Sequence, residues 1–402
     1  MLLVGYKFRI YPTDEQKDFF EKHFGCCRFT YNYLLNLREE SYKKFKKSIS
    51  GFEAKKQIAV LKKTEKFKWL KEVNSQSLQE ASLDLEKAYI RFFKKLGKKP
   101  RFKRKFHRQK FKVPQFFRLK KSKRNNYFLT IPKIKSSIRV NVHREIIGEI
   151  NQITIIKEPS GEYFVGFNCE MKKENIFKRK DNKKNSIGVD LGLTSFIATS
   201  EGNKKEAPKY LRKTEHKLKT TQRNLSRKCK GSLNRKKERE KVAKIHLRIA
   251  NQRKDFLHKV SFELVDENQV IYLENLHVKG MLQNRGLSKS ITDAGWSEFK
   301  RQLKYKAKWR DKEVVEIGRF EPSSKLCSMC EFKNEELKLH QREWVCSNCG
   351  TKHDRDVNAA KNIVKLGQDM SKVKPVEKTT SIFSLKRKGK LVQGSRNRIL
   401  NS

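Results

Sequence analysis

One carboxylate stands inside an otherwise apolar, glycine-flanked run, Ser186-Ile-Gly-Val-Asp-Leu-Gly-Leu-Thr194, which leads directly into Ser195-Phe-Ile-Ala-Thr199. Apolar residues on both sides of Asp190 read as a buried strand that turns into a second strand. A lone carboxylate in such a place is neutralised unless it is paired or holds a metal. The rest of the chain must therefore bring partners to it, and two segments qualify. Gln269-Val-Ile-Tyr-Leu-Glu274 is another short apolar strand ending in an acid, and His353-Asp-Arg-Asp356-Val-Asn-Ala-Ala360 puts an acid just ahead of a small-residue helix. Asp190, Glu274 and Asp356, delivered by two strand ends and a helix start, would form an oxygen cage suited to Mg²⁺ or Mn²⁺.

The partner of the whole chain is legible in its charge. Against 44 Asp plus Glu stand 96 Lys plus Arg, a formal net charge of +52 over 402 residues. A compact state with that charge repels itself, and a polyanion relieves it. A membrane is excluded by the lack of any apolar run of about 18 residues and of a signal-peptide pattern. The length predicts two or three domains. The expected protein is a cytoplasmic nucleic-acid binder, monomeric and associated with the nucleoid when on DNA.

Residues 3–10 alternate as a strand with one wet face, and Pro12 stops it. Thr13-Asp-Glu-Gln16 reads as a capping box that starts a helix to about His23. Helical spacing resumes at Phe29, Tyr33, Leu34 and Leu37, and again from Ser77 through Leu96, so residues 13–97 form a helical lobe inserted after the first strand. Lys98 to Arg124 holds fourteen Lys or Arg and no acid, interleaved with Phe102, Phe106, Phe111, Phe116 and Phe117. It reads as a phosphate-binding run whose rings either stack on bases or pack on the protein; the alternative is a solvated linker. Short β-type runs over 127–131, 137–142, 152–157 and 163–169 complete a small antiparallel barrel with the first strand, and 172–184 is a polar linker. A basic helical region over 210–268, broken near Lys230-Gly-Ser232, carries so thin an apolar seam that it should project from the body. A helix over 294–310 and a strand over 313–320 follow. The order strand, strand, long helix, strand, helix, strand, terminal helix predicts an RNase H-like α/β core.

Cys327-Ser-Met-Cys330 and Cys346-Ser-Asn-Cys349 are fifteen residues apart. That spacing predicts two knuckles on one tetrahedral Zn²⁺, and four thiolates leave no open position, so the ion is structural. Disulfides are the alternative, disfavoured in a reducing compartment. Cys26, Cys27, Cys169 and Cys229 match no ligand spacing.

Taken together, Gly188-Val-Asp190-Leu-Gly-Leu193, Leu273-Glu274-Asn-Leu276, Asp293-Ala-Gly-Trp296, Pro322-Ser-Ser-Lys325-x-Cys327-Ser-x-Cys330 and Asp354-Arg-Asp356-x-Asn-Ala-Ala360-x-Asn-Ile363 resemble the TnpB (OrfB) family. The resemblance runs from Lys7-x-Arg-Ile-Tyr-Pro12 to about Leu366. It implies a transposon-encoded, RNA-guided DNA endonuclease related to the type V CRISPR effectors, with guide RNA and target DNA as partners. The implied architecture is α/β plus a β-barrel and a helical lobe. A wedge-like barrel covers 1–12 and 98–175 and a recognition lobe 13–97. A RuvC-like nuclease covers 183–320 and 353–370, and a zinc ribbon (321–352) that contacts target nucleic acid interrupts it. A flexible basic tail from 371 ends the chain. Position by position, the catalytic, magnesium-binding acids are Asp190, Glu274 and Asp356, with Asp354 in support. Glu331 departs from the family, which often has Gly after the second cysteine. Two rivals remain: a guided binder that no longer cuts, and an accessory DNA-binding protein of transposition.

Overall fold

The computed structural model describes residues 2–47, 49–172, 186–318, 323–338 and 340–373. The linker expected before β8 and the tail from residue 374 on lie outside these residues.

The N-terminal half runs β1 (Leu2–Tyr11), α1 (Asp14–Phe45), α2 (Gly51–Lys63), a 3₁₀ segment (Glu65–Lys71), α3 (Ser75–Phe93), β2 (Gln109–Val113), β3 (Arg118–Lys121), β4 (Tyr127–Thr130), β5 (Ile138–Asn141), β6 (Glu149–Lys157) and β7 (Tyr163–Met171). The strands form one antiparallel sheet in the order β2-β6-β7-β1-β5-β4-β3. Laid flat, its outer strands would stand about 29 Å apart. Yet β2 and β3, the two edges, are joined by only Pro114-Gln-Phe-Phe117, and five Cα steps span at most about 18 Å. The sheet must therefore curl until its edges nearly meet, which makes it the expected barrel. Phe8, Val165 and Phe167 fill its inside, and Phe20 and Phe24 of α1 close one end against Phe111 at 5.9 and 5.3 Å between ring centroids.

Three expectations for this half change. The helix started by Thr13 does not pause at His23: α1 is one helix of 32 residues, opened by the reciprocal Thr13–Gln16 capping box and ended by Lys46 in the left-handed region. Helix α2 was not foreseen. The basic run contains strands β2 and β3, so it is not a solvated linker; Phe111 is core, Phe117 packs against it, and Phe102, Phe106 and Phe116 are exposed. Part of its charge is internally matched, with Lys110 and Lys112 on Asp84 at 3.1 and 2.7 Å.

The C-terminal half runs β8 (Ser186–Leu191), β9 (Ser195–Thr199), β10 (Lys204–Glu206), α4 (Tyr210–Ser226), α5 (Leu233–Glu267), β11 (Val270–Leu273), α6 (Val278–Met281), α7 (Ser288–Ala294), α8 (Trp296–Trp309), β12 (Glu313–Glu316), β13 (Glu343–Val345), β14 (Lys352–Asp354) and α9 (Arg355–Val373). Its sheet has the order β10-β9-β8-β11-β12. The first three strands are antiparallel, and β11 and β12 run parallel to β8 and to each other. That is the RNase H-like arrangement, with β10 as an unforeseen edge and β12 ending at Glu316, short of the expected 320. Alternation along β8 separates two faces. Ile187, Val189 and Leu191 pack with Leu257 and Val260 of α5 and Phe299 and Leu303 of α8. On the other face Tyr272 meets Ile363 of α9. The α4–α5 pair does not stand free of the body, because the Arg239 guanidinium lies 4.2 Å from the centre of the Phe106 ring in the basic run.

Candidate active site and metal centre

Gly188 sets the geometry of the site. A Cβ built there would fall 2.0 Å from the Ala360 carbonyl oxygen, so only glycine lets α9 lie this close on β8. Asp190 is two residues on and faces the same side. Asp356 is one helical turn before Ala360 and shares its face. The parallel register pairs Leu273 with Val189, so Glu274, the next residue, comes level with Asp190. Strand ends and helix start thus bring the three predicted acids to one edge of the sheet.

Their electrostatics agree. Burial pushes the Asp190 carboxyl up to about 7, and the charges of Glu274 and Asp356 add to that rise. Burial also raises Glu274, opposed by the Lys300 ammonium. Cations from two other elements approach Asp356: Arg342 Nη1 lies 3.2 Å from Oδ1 and Lys204 Nζ 3.8 Å from Oδ2. Asp354 has a different task. Its Oδ1 accepts from the Asp356 and Val357 amides at 3.1 and 3.0 Å, capping α9, and its Oδ2 accepts from Lys204 at 2.6 Å. Burial would raise its carboxyl, but the Lys204 ammonium and those amides hold it below the usual range. These contacts give Asp354 the work of capping α9 and holding Lys204.

Among the described residues, only Cys327, Cys330, Cys346 and Cys349 bring three or more ligand atoms within 4.8 Å of one another. Those sulfurs are unbridged, and Cys327–Cys349 and Cys330–Cys346 each measure 3.6 Å. Zinc–thiolate bonds of about 2.3 Å imply a tetrahedral edge of about 3.8 Å, so the cluster fits such an ion. His353 is buried with Nε2 3.0 Å from Cys327 Sγ, a contact that orients a ligand from behind.

Two asparagines join this ribbon to the acids. Asn358 accepts from the Ser328 amide at 2.9 Å and donates to the Leu326 carbonyl at 2.7 Å. Asn362, one turn on, donates to the Ser323 and Leu326 carbonyls at 2.7 Å each. Both are buried on α9, and their four-residue spacing after Asp354 was visible in the sequence without a role. In the same way Asp293 turns out to accept from the Leu211 amide at 3.0 Å and from Arg253 at 2.8 Å, fixing the start of α4 on α5. Arg342 and Lys204 carried no sequence signal, since one sits in a loop and the other on an edge strand, both far from Asp356 in the chain.

Comparison with known proteins gives these features a context. Family models match residues 166–285 ("Probable transposase", the OrfB type), 296–363 ("Cas12f1-like, TNB domain") and 1–47 ("Helix-turn-helix domain"); the last segment is here a strand and one long helix. A Streptomyces pristinaespiralis protein named "Putative RNA-guided DNA endonuclease" is 38% identical over 365 residues, 90% of this chain and 89% of that one. The Escherichia coli K12 protein named "Putative RNA-guided DNA endonuclease InsQ" is 30% identical over 91% and 92% of the two chains. A solved Cas12f1–sgRNA–target DNA complex shares the fold, with TM-score 0.58 at 14% identity over 87% of this chain and 83% of its own. Identity of this order sustained from the barrel through the ribbon, together with the matched family models, means that the chain belongs to the TnpB (OrfB) family.

Proposed function

We propose that the chain is an RNA-guided DNA endonuclease of a transposon, which pairs its guide RNA with target DNA beside a short duplex motif and cuts in a Mg²⁺-dependent RuvC-like site. The observation that carries this reading is the meeting of three acids, from β8, β11 and α9, at one edge of an RNase H-like sheet, with Asp190 raised to about 7 by burial and by the other two. Hard oxygen donors suit Mg²⁺, and carboxylates brought together in this way are the kind of donors that hold two ions about 3.5–4 Å apart in two-metal sites. Bound there, such ions would supply activation of a water and charge stabilisation of the departing 3′ oxygen. Asp190, Glu274 and Asp356 would hold them, the Asp354–Lys204 pair keeps the first turn of α9 in place, and Arg342 lies beside Asp356 where a phosphate oxygen would arrive.

In this reading residues 1–12 and 98–175 are the wedge-like barrel, 13–97 the recognition lobe, 183–320 and 353–370 the nuclease, and 321–352 a ribbon holding one structural Zn²⁺ and touching target nucleic acid. Base pairing supplies the sequence specificity while the protein holds backbone and shape. The protein purified with RNA from its own locus should cleave a matching plasmid only when Mg²⁺ is added. Asp190→Ala and Glu274→Ala should abolish cleavage and keep guided binding. A folded wild-type complex that binds its target and does not cut would leave the non-cutting binder as the correct reading.

A further inference from the structure

The outer end of the helical lobe carries a group of large apolar side chains left in water. Just inside it the contacts are closed. Arg38 of α1 pairs with Glu86 of α3 at 2.6 Å, donates to the Ile49 carbonyl at 2.8 Å and lies 4.8 Å from the centre of the Tyr89 ring. A Cβ built at Gly51, the first residue of α2, would come 2.9 Å from Glu86 Oε2, so α1, α2 and α3 converge here. Past this contact the same stripes run on into solvent, because residues four and seven further along a helix share its face. Tyr42 and Phe45 continue α1 and Ile90 and Phe93 continue α3, with Phe52 and Leu96 beside them, and all six are exposed by 45–70%. Scattered exposed rings need no explanation, but a patch of this size at one end of a lobe marks a surface in use.

Charge identifies what covers it. Residues 39–56 and 86–99 hold twelve Lys or Arg against four acids. Each acid is engaged within the lobe: Glu39 with Lys99, Glu40 with the Asn36 side-chain amide and Glu53 with the Ser50 backbone amide, each at 2.8 Å, and Glu86 with Arg38. A second copy would bring the same charge and be repelled. Rings set among lysines suit unpaired nucleic acid, whose base faces stack while its phosphates meet cations. Lys46 and Lys56 already lie 5.9 and 4.8 Å from the centres of the Tyr42 and Phe52 rings. Neither segment contains Asn or Gln, the side chains that read adenine by paired hydrogen bonds. A surface without them tolerates any sequence. A guide RNA has a constant part that amides could read, whereas the strand that a guide displaces from its target differs from site to site.

We propose that the outer end of the helical lobe is a rest for the displaced DNA strand, whose bases stack on Phe45, Phe93 and their neighbours while the lysines meet its phosphates. This rests on the reading of the chain as a guided DNA endonuclease, in which pairing with one strand frees the other. Exchanging a DNA duplex for an RNA–DNA duplex is close to balanced in energy, so holding the freed strand tips the exchange forward. Phe45 stands about 46 Å along α1 from its barrel end, which keeps a strand held there away from the partner it left.

The test uses the RNA-bound protein without Mg²⁺ and a matched duplex whose motif is first selected by retention from a randomised library. With photoreactive p-benzoylphenylalanine at position 93, ultraviolet light should join the protein to the displaced strand, told from the complementary strand, the RNA and a second copy by a separate label on each. Phe45→Ala combined with Phe93→Ala should speed dissociation from the duplex by about tenfold or more, leave dissociation from the complementary single strand alone unchanged, and keep the wild-type melting temperature. Joining to the RNA, to the complementary strand or to a second copy overturns the proposal. Equal dissociation of wild type and variant from the duplex, or faster release of the variant from both targets, overturns it as well. Joining to the displaced strand by a protein that never cuts once Mg²⁺ is added sinks the nuclease reading and upholds the strand rest; cutting with no joining at position 93 does the reverse.

Discussion

His23 shows how one buried side chain couples two elements. Its Nδ1–H donates to the Phe19 carbonyl at 3.1 Å and its Nε2 accepts from the Asn74 amide at 3.1 Å, which ties α1 to the start of α3. Burial pulls its pKa down to about 4, against the pull of the Phe19 carbonyl. The folded value is below the unfolded one, so the stabilisation is complete above about pH 6.5 and fades as pH falls toward 4, by roughly 3 kcal/mol in all. RNA-free protein should melt at a lower temperature at pH 4.5 than at pH 7, and His23→Gln should flatten that part of the profile. Glu331 offers a second test. It has φ +63° in the first knuckle, where Gly350 with φ +70° occupies the matching place in the second. Glu331→Gly should stabilise the metal-loaded ribbon by about 0.5–1 kcal/mol, since the exposed ion pair with Lys365 at 3.3 Å contributes little; calorimetry of the two proteins decides it. The three acids and four cysteines could be read from the sequence because each lies in a local pattern. Arg342, Lys204 and His353 could not, because their roles exist only through contacts that folding creates.

Among elements, α9 is positioned by the absence of a side chain. Gly188→Ala would place a methyl against the Ala360 carbonyl and push the helix off β8. The expected cost is about 3 kcal/mol or more, with DNA cleavage lost and RNA binding retained; electrophoretic mobility shift and cleavage assays on one preparation read both. A second close approach, of Gly367 against the Tyr272 ring, holds the same helix farther along. Element boundaries were legible where caps or alternation were strong, as in β1, the capped start of α1, and β7 and β8. Strands β2 and β3 escaped because alternate lysines and arginines made them look like a solvated run. Helix α2 escaped although its capping box, Ser50 with Glu53, is written in the sequence.

For the molecule as a whole, the net charge of +52 outweighs any single contact. Internal acids neutralise part of it, as at Asp84 and Glu316, and the remainder repels itself until a polyanion arrives. RNA-free protein should therefore gain thermal stability when salt is raised from about 0.1 to 0.5 M, as screening sets in. Non-specific DNA binding should weaken by orders of magnitude over the same range. Thermal melts and filter binding across a salt series check both, and a melting temperature indifferent to salt would contradict the first. The nuclease fold was legible at this scale from the order of elements, because acids at two strand ends and one helix start mark the chain's path. Curling of the N-terminal sheet was expected, but its closing seam was hidden in the basic run.

Helix α9 carries Asp356 in its first turn, with Asn358 and Asn362, which hold the ribbon, within the two turns that follow it. A helix is stiff over that length, so the ribbon cannot swing without turning the acid. In the proposed reading, gripping and cutting would share one axle: a target seated askew on the ribbon would misalign the blade directly, with no messenger in between.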